Sequence, residues 1–263
     1  MLKPFSACIA RWRSLANSAS TTRLASRKRP ASASSSSHVL VTTTPSACSA
    51  RLTVSYGRVG GLARDLPPDF ADRMGAALTK IRETLSDTEK LLERNRIFID
   101  RMVGVGLMTP EDAVSYGLTG PLLRATGVKR DLRKDDPYML YDRFDFDVPV
   151  GTKGDNFDRF SVRFEEIRQS MRIVEQALRT LPAGPVSIDD HTLVLPGKRD
   201  VYENIEGLMA QFKLVIEGIR VPAGEIYFAG EAANGELGFF IVSDGSGRPY
   251  RVRVRPPCFY GMG

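Results

Sequence analysis

The sequence predicts an α+β fold, predominantly helical, in which long packed helices carry a small C-terminal antiparallel β-sheet. Three observations lead there. Residues 70–102 and 156–181 each repeat apolar side chains mostly at three- to four-residue steps, the first with longer gaps after Leu85. A shorter helical stretch covers about 201–216. Beyond residue 224 the pattern changes to three short strand-like runs separated by glycine-containing turns.

The first 50 of the 263 residues stand apart. They hold seven basic residues (Lys3, Arg11, Arg13, Arg23, Arg27, Lys28 and Arg29), twelve serines and no Asp or Glu. That composition fits an organelle transit peptide, a disordered tail, or an extension from a misplaced start codon. Without it, 30 basic residues face 31 acidic ones, so the net charge of +6 belongs to the tail. A nucleic-acid partner argued from charge therefore fails, and none is expected. The domain boundary falls near Arg51, which makes residues 51–263 the folded unit.

RLTVSYGRVGGLARDLP, residues 51–67, reads as a strand broken at Gly60-Gly61 and stopped at Pro67-Pro68. Asp69 is a candidate N-cap. Phe70, Met74, Leu78, Ile81, Leu85, Leu92 and Phe98 then form one buried stripe of a single long helix to Met102. Its other face (Arg82, Glu83, Asp87, Glu89, Lys90, Glu93, Arg94, Arg96) is charged, for solvent or a neighbouring subunit. Gly104 and Gly106 end it. Thr109-Pro110-Glu111-Asp112 opens a short helix, with Thr109 as N-cap and Asp112 as the capping-box acid, ending at Gly117.

A loop of roughly thirty-five residues follows, to about Asp155. Its aromatics and balanced charges indicate order against a neighbour. The second long helix takes Phe157, Phe160, Phe164, Ile167, Met171, Val174 and Leu178 on its apolar side and stops at Pro182. Glu165, Glu166 and Arg168 to Arg172 lie on its polar side. Glu225–Ala232, Glu236–Asp244 and Pro249–Arg255 form a meander joined by ANGE and DGSGR turns.

Much chemistry is excluded. Only His38 and His191 occur, His191 in a polar loop as a surface residue, so a hydrolase triad or histidine metal site is not expected. Cys8, Cys48 and Cys258 form no CxxC, which leaves no cluster or zinc ligation to this chain alone. No GxGxxG follows a strand and no GxxxxGK exists. No run of 18 apolar residues is present, so any membrane association comes through partners.

Two constellations remain. Asp142, Asp145, Asp147, Asp155 and Asp158 fall among Arg143, Lys153 and Arg159. They offer either a divalent-cation site or, more simply, ion pairs bracing a loop against the second long helix. Asp155 can cap that helix and Asp158 lies in its first turn. The second constellation is GLTGPLLRATG, residues 117–127. Its Gly and Pro fix an irregular backbone, and Arg124 within it suits a buried carboxylate or an anionic cofactor; the plain alternative is a glycine-rich connector. Arg58 in SYGRVGG follows the same logic.

Several strings in order carry a resemblance. They are SYGRVGGLARDLP (55–67), ERNRIF (93–98), GVGLMTPEDAVSYGLTGPLLRATG (104–127), DLRKDDPY (131–138), YDRFDFDVPVGTKGDNFDRF (141–160), EEIRQS (165–170) and GELGFFIVSDGSGRPYRVRVRPPCF (235–259). Across residues 51–259 the chain resembles the D subunit of respiratory complex I, the NADH–quinone oxidoreductase, and corresponds to its C-terminal half. The resemblance implies a fold like the nickel–iron hydrogenase large subunit, without the metal ligands. It implies a peripheral-arm position against the subunit that holds the terminal iron–sulfur cluster, with the C subunit and quinone as further partners.

The family's quinone-headgroup His and Tyr lie outside this chain, and Thr53 stands where many members have a His. The resemblance therefore implies no catalytic residue here and no turnover by the isolated chain. NADH, FMN, iron–sulfur clusters and quinone belong to the whole complex, none bound by this chain alone. Arg58, Arg124, Arg133, Asp147, Asp155, Asp158 and Arg159 are the expected ordered loop and interface residues near the cluster-bearing subunit. The compartment would be the matrix side of the mitochondrial inner membrane if the tail is a transit peptide, otherwise the cytoplasmic face of a bacterial plasma membrane. The alternatives are a non-catalytic assembly fragment, or a hydrogenase-like subunit of a ferredoxin-linked membrane complex.

Overall fold

Two 24-residue helices, α1 (Phe70–Glu93) and α6 (Asn156–Arg179), form the frame of the computed structural model, which describes residues 57–62 and 65–261. The tail assigned to residues 1–50 lies outside the described residues. Phe70, Met74 and Leu78 of α1 are buried against Met171 of α6, with Ile81, Leu85, Val174 and Leu178 around them. This is the apolar stripe expected from the sequence, closed between two helices. The charged outer faces also meet: Arg82 donates to Glu175 at 2.5 Å and Arg168 pairs with Glu89.

The first helix is shorter than expected. At Asn95 the chain leaves α1 and restarts as α2 (Arg96–Met102). The Asn95 carboxamide accepts from the amides of Ile97 at 3.0 Å and Phe98 at 3.3 Å, so a local side-chain cap outcompetes continuation. Asp69 occupies the N-cap position of α1 without a capping hydrogen bond and instead pairs with Arg73 at 3.5 Å.

Before α1 the chain forms a small hairpin, β1 (Gly57–Arg58) with β2 (Gly61–Leu62). The Leu62 amide donates to Val186 and the Ile188 amide to Gly60, each at 2.9 Å, which ties the hairpin to the segment after α6. After Gly106 comes α3 (Pro110–Ser115) with Thr109 as its cap: the hydroxyl accepts from the Asp112 amide at 3.1 Å.

The expected long loop is not structureless. It contains α4 (Pro121–Ala125), α5 (Leu132–Asp135) and a 3-10 turn (Tyr141–Arg143). Tyr141, Phe144 and Phe146 pack on Ile173 and Ala177 of α6. On α6, therefore, two buried edges exist, one towards α1 and one towards this aromatic segment. Ile167, which periodicity assigned to the buried stripe, is exposed.

The helix expected over 201–216 is two, α7 (Lys198–Glu203) and α8 (Ile205–Ile216), separated by Asn204 in an extended conformation. Asn204 Nδ2 donates to Asp200 Oδ1 at 2.5 Å across the bend. The sheet follows as β3 (Gly224–Ala232), β4 (Gly235–Ser243) and β5 (Arg251–Arg255), antiparallel in the order β3-β4-β5. Fold class and meander agree with the expectation.

Candidate functional site

The sheet meets the loop segment at a tight crossing. Gly120 has φ +69 and Gly235 has φ +123, conformations that favour glycine. A Cβ on Gly120 would lie 2.6 Å from the Gly235 nitrogen. Two glycine backbones therefore press together, and the Glu236 amide donates to the Thr119 hydroxyl at 3.0 Å beside them. Pro121 then starts α4, whose Pro121, Leu123, Arg124 and Ala125 are all buried.

Arg124 is 1% exposed and stands at the junction. Its Nε donates to Glu166 of α6 at 2.7 Å, and its Nη1 donates to Glu231 of β3 at 2.9 Å and to the Arg130 carbonyl at 2.8 Å. Asp131 lies 3.6 Å from Nη1. Asp131 in turn caps α5, accepting from the Arg133 amide at 2.9 Å, and is gripped by the Arg133 guanidinium at 2.9 and 2.5 Å. Arg133 also sits over the Phe146 ring, 5.0 Å from its centroid. Tyr138 closes the group, its hydroxyl accepting from the Glu231 amide at 2.9 Å.

The electrostatics follow from burial and pairing. Burial opposes the charge on Arg124, but Glu166, Glu231 and Asp131 more than reverse this and hold its proton more tightly than usual. Burial likewise raises Asp131, yet the Arg133 hydrogen bond and charge hold that carboxyl below its ordinary range. Burial pushes Glu166 and Glu231 up, and Arg124 offsets only part of it. The Tyr138 and Tyr141 phenols are raised by burial.

A second group surrounds the start of α6. Asp155 is buried and caps the helix, accepting from the Asp158 amide at 2.8 Å and from the Gly104 amide at 2.9 Å. Asp158 accepts from the amides of Thr152 at 2.7 Å and Lys153 at 2.6 Å. Arg159 donates to Asn156 and to the Gly106 carbonyl, both at 2.6 Å, and to the Gly154 carbonyl at 3.0 Å. Its buried Nε has no partner. The two groups share backbone: the Gly151 amide donates to Arg124 O at 2.8 Å and the Gly154 amide to Ala125 O at 3.0 Å. Asp155, Asp158, Arg159 and Arg124 thus hold the glycine-rich turns at 104–106, 120–127 and 151–154 as one body.

Asp147 does not join them. It is exposed and pairs with Arg172 of α6 at 3.2 Å, and Asp145 meets the same guanidinium. These pairs are the loop brace read from the sequence. Arg58 lies in β1, away from both groups in the chain. His191 is exposed, 3.9 Å from Asp200. Among the described residues no three His, Cys, Asp or Glu side chains are grouped to hold a metal ion.

Sequence reasoning missed Asp131, Glu166, Glu231 and Tyr138. It had Glu166 on the polar side of its helix, whereas Arg124 draws it inward. The need of a loop arginine for a buried carboxylate was legible; the identity of its partners, 42 and 107 residues away, was not.

Residues 35–263 match the family of the respiratory-chain NADH dehydrogenase 49 Kd subunit, a stretch that takes in the sequence from Ser35 onward. The chain is similar to the NADH-quinone oxidoreductase D 1 subunit of Sorangium cellulosum, 59% identical over 211 residues, covering 80% of this chain and 52% of that protein. The NADH-quinone oxidoreductase D subunit of Myxococcus xanthus is 58% identical over 210 residues, covering 80% and 51%. The NADH-quinone oxidoreductase C/D subunit of Bdellovibrio bacteriovorus is 55% identical over 212 residues, covering 81% and 38%. The chain spans about half the length of the first two of these relatives.

Proposed function

Since this chain belongs to the family of the respiratory-chain NADH dehydrogenase 49 Kd subunit, we propose that it works as a subunit of an NADH–quinone oxidoreductase, shaping the quinone end rather than carrying electrons itself. The observation that carries this reading is the 59% identity over 211 residues, a span long enough to take in the glycine-rich loops and the Arg124 network together. In this role NADH, FMN and the iron–sulfur clusters are held by other subunits. The chain supplies a rigid wall.

What supports the wall is physical. The turns at 104–106, 120–127 and 151–154 are fixed by buried and half-buried charged groups rather than by apolar packing alone. A surface held this way keeps its shape against a neighbour. The neighbour proposed is the subunit with the terminal iron–sulfur cluster. The C subunit is proposed as a second one, in keeping with the relative whose name joins C and D. No described helix is long and apolar enough to cross a membrane, which agrees with attachment through partners.

The test is native separation of the membrane complexes from the source cells, with peptide mapping of each band. Peptides of this chain are expected in the band that oxidises NADH with quinone as acceptor. Their recovery only in bands without that activity would overturn the proposal.

A further inference from the structure

The group around Arg124 contains an imbalance of charge. Three carboxylates, Asp131, Glu166 and Glu231, face two guanidiniums, Arg124 and Arg133. Their side chains are almost wholly enclosed: Arg124 is 1% exposed, Asp131 0%, Glu231 5% and Glu166 15%. Asp131 is satisfied as an anion, since Arg133 grips both of its oxygens. Glu166 and Glu231 are left on opposite sides of the single Arg124 guanidinium. A net buried negative charge in such a place is costly, and the usual relief is a proton.

We propose that this cluster is a proton-binding site, in which Glu166 and Glu231 hold one proton between them at neutral pH. The remaining neighbours are already committed. Arg124 and Arg130 come from α4 and the turn after it, and Arg130 reaches Glu236 rather than Glu231. From α5 come Asp131 and Arg133, with Lys134 over the Phe146 ring and Asp135 accepting from the Asp131 amide. Tyr138 and Tyr141 face the group as neutral phenols. Glu236, opposite Glu231 on β4, lies 3.7 Å from Arg255.

Geometry also gives the proton a seat. Glu231 Oε1 takes the Arg124 hydrogen bond, while Oε2 has only the Leu132 amide at 3.5 Å, so Oε2 is free to carry hydrogen. Glu166 is the more exposed of the two glutamates. Each glutamate is paired with the same Arg124 guanidinium, so a proton on either one removes the surplus charge of the group. Burial raises both, and the guanidinium between them compensates only in part.

The test is infrared spectroscopy of the folded full chain in heavy water, with 13C-labelled glutamate to identify the bands. At pH 7 a protonated glutamic carboxyl band is expected, fading on titration to alkaline pH as one proton leaves. Glu166→Gln and Glu231→Gln should each remove it, since either substitution removes the surplus charge. Absence of the band in the wild-type chain at pH 7, or its survival in both variants, would overturn the proposal. If a variant does not fold, wild-type unfolding decides. Its unfolding constant should rise about tenfold per pH unit above the ordinary glutamate range, and a flat profile there would overturn the site.

Discussion

Arg124 Nη1 donates to Glu231 Oε1 at 2.9 Å across 107 residues of chain, joining α4 to the first strand of the C-terminal sheet. The same guanidinium reaches α6 through Glu166. One side chain therefore ties the sheet, the short loop helix and the long helix together, alongside the Thr119–Glu236 and Tyr138–Glu231 bonds. Glycine backbone and charge line this crossing, with the Tyr138–Phe228 ring contact beside it.

Replacing Arg124 by Met should be severe. Removing one partner from a buried ionic group leaves uncompensated charge and costs about 3–5 kcal/mol. Arg124→Lys keeps the charge but cannot serve Glu166, Glu231 and the Arg130 carbonyl at once. It should recover only part of the loss. Denaturant unfolding of the three proteins gives the order wild type, Lys, Met in stability; equal midpoints would contradict the role of the network.

Arg172 supplies the contrast. It pairs with Asp145 and Asp147, but all three side chains are substantially exposed. Such pairs contribute about 0–1 kcal/mol, screened by salt. Arg172→Ala is therefore expected to shift stability by less than about 1 kcal/mol, and less still at high ionic strength. A loss as large as that of Arg124→Met, read by the same denaturant curves, would show a structural role that exposure does not predict.

These two arginines also mark what was legible in the sequence. Local signals were read well: the Thr109 and Asp155 caps, the limits of α6, and the tight β3-β4-β5 meander all rest on neighbours a few residues apart. Arg124, Asp155, Asp158 and Arg159 were singled out and the structure ties them together through shared backbone. Asp147 was grouped with them by proximity in sequence, yet the chain turns it to solvent. Asn95 and Asn204 broke two helices that the apolar period ran through, because periodicity does not weigh a polar side chain that bonds locally, Asn95 to the amides of its next turn and Asn204 back to Asp200. Glu166 and Glu231 were hidden for a different reason. Their meaning depends on a partner brought from far along the chain, which no local pattern encodes.

Gly120 should tolerate no side chain. Its φ of +69 is strained for other residues, and a Cβ there would meet the Gly235 backbone. Backbone does not yield as a flexible side chain does, so Gly120→Ala should separate the sheet from α4. The strain alone is of order 1–3 kcal/mol. Gly75, in α1, has open space around its Cβ position. Gly75→Ala should instead stabilise the helix by roughly 0.5–1 kcal/mol. Thermal unfolding of both variants checks the opposite signs.

Asp155 provides a prediction with a sign in pH. Burial raises its pKa, but hydrogen bonds from the Gly104 and Asp158 amides more than reverse this and hold the carboxyl below the ordinary aspartate range. The folded state therefore binds this proton more weakly than the unfolded chain does. Its stabilisation is complete above the unfolded value of about 3.9 and disappears as pH falls through the lower folded value. Asp155→Ala should cost about 1–2 kcal/mol for the lost cap, plus about 1–3 kcal/mol for the stranded Gly104 amide. Asp155→Asn retains a capping oxygen and should cost less, yet it cannot titrate. Unfolding midpoints measured from pH 7 down to the acid limb should therefore fall less steeply for Asp155→Asn than for wild type, and parallel curves would refute the assignment of that slope to Asp155.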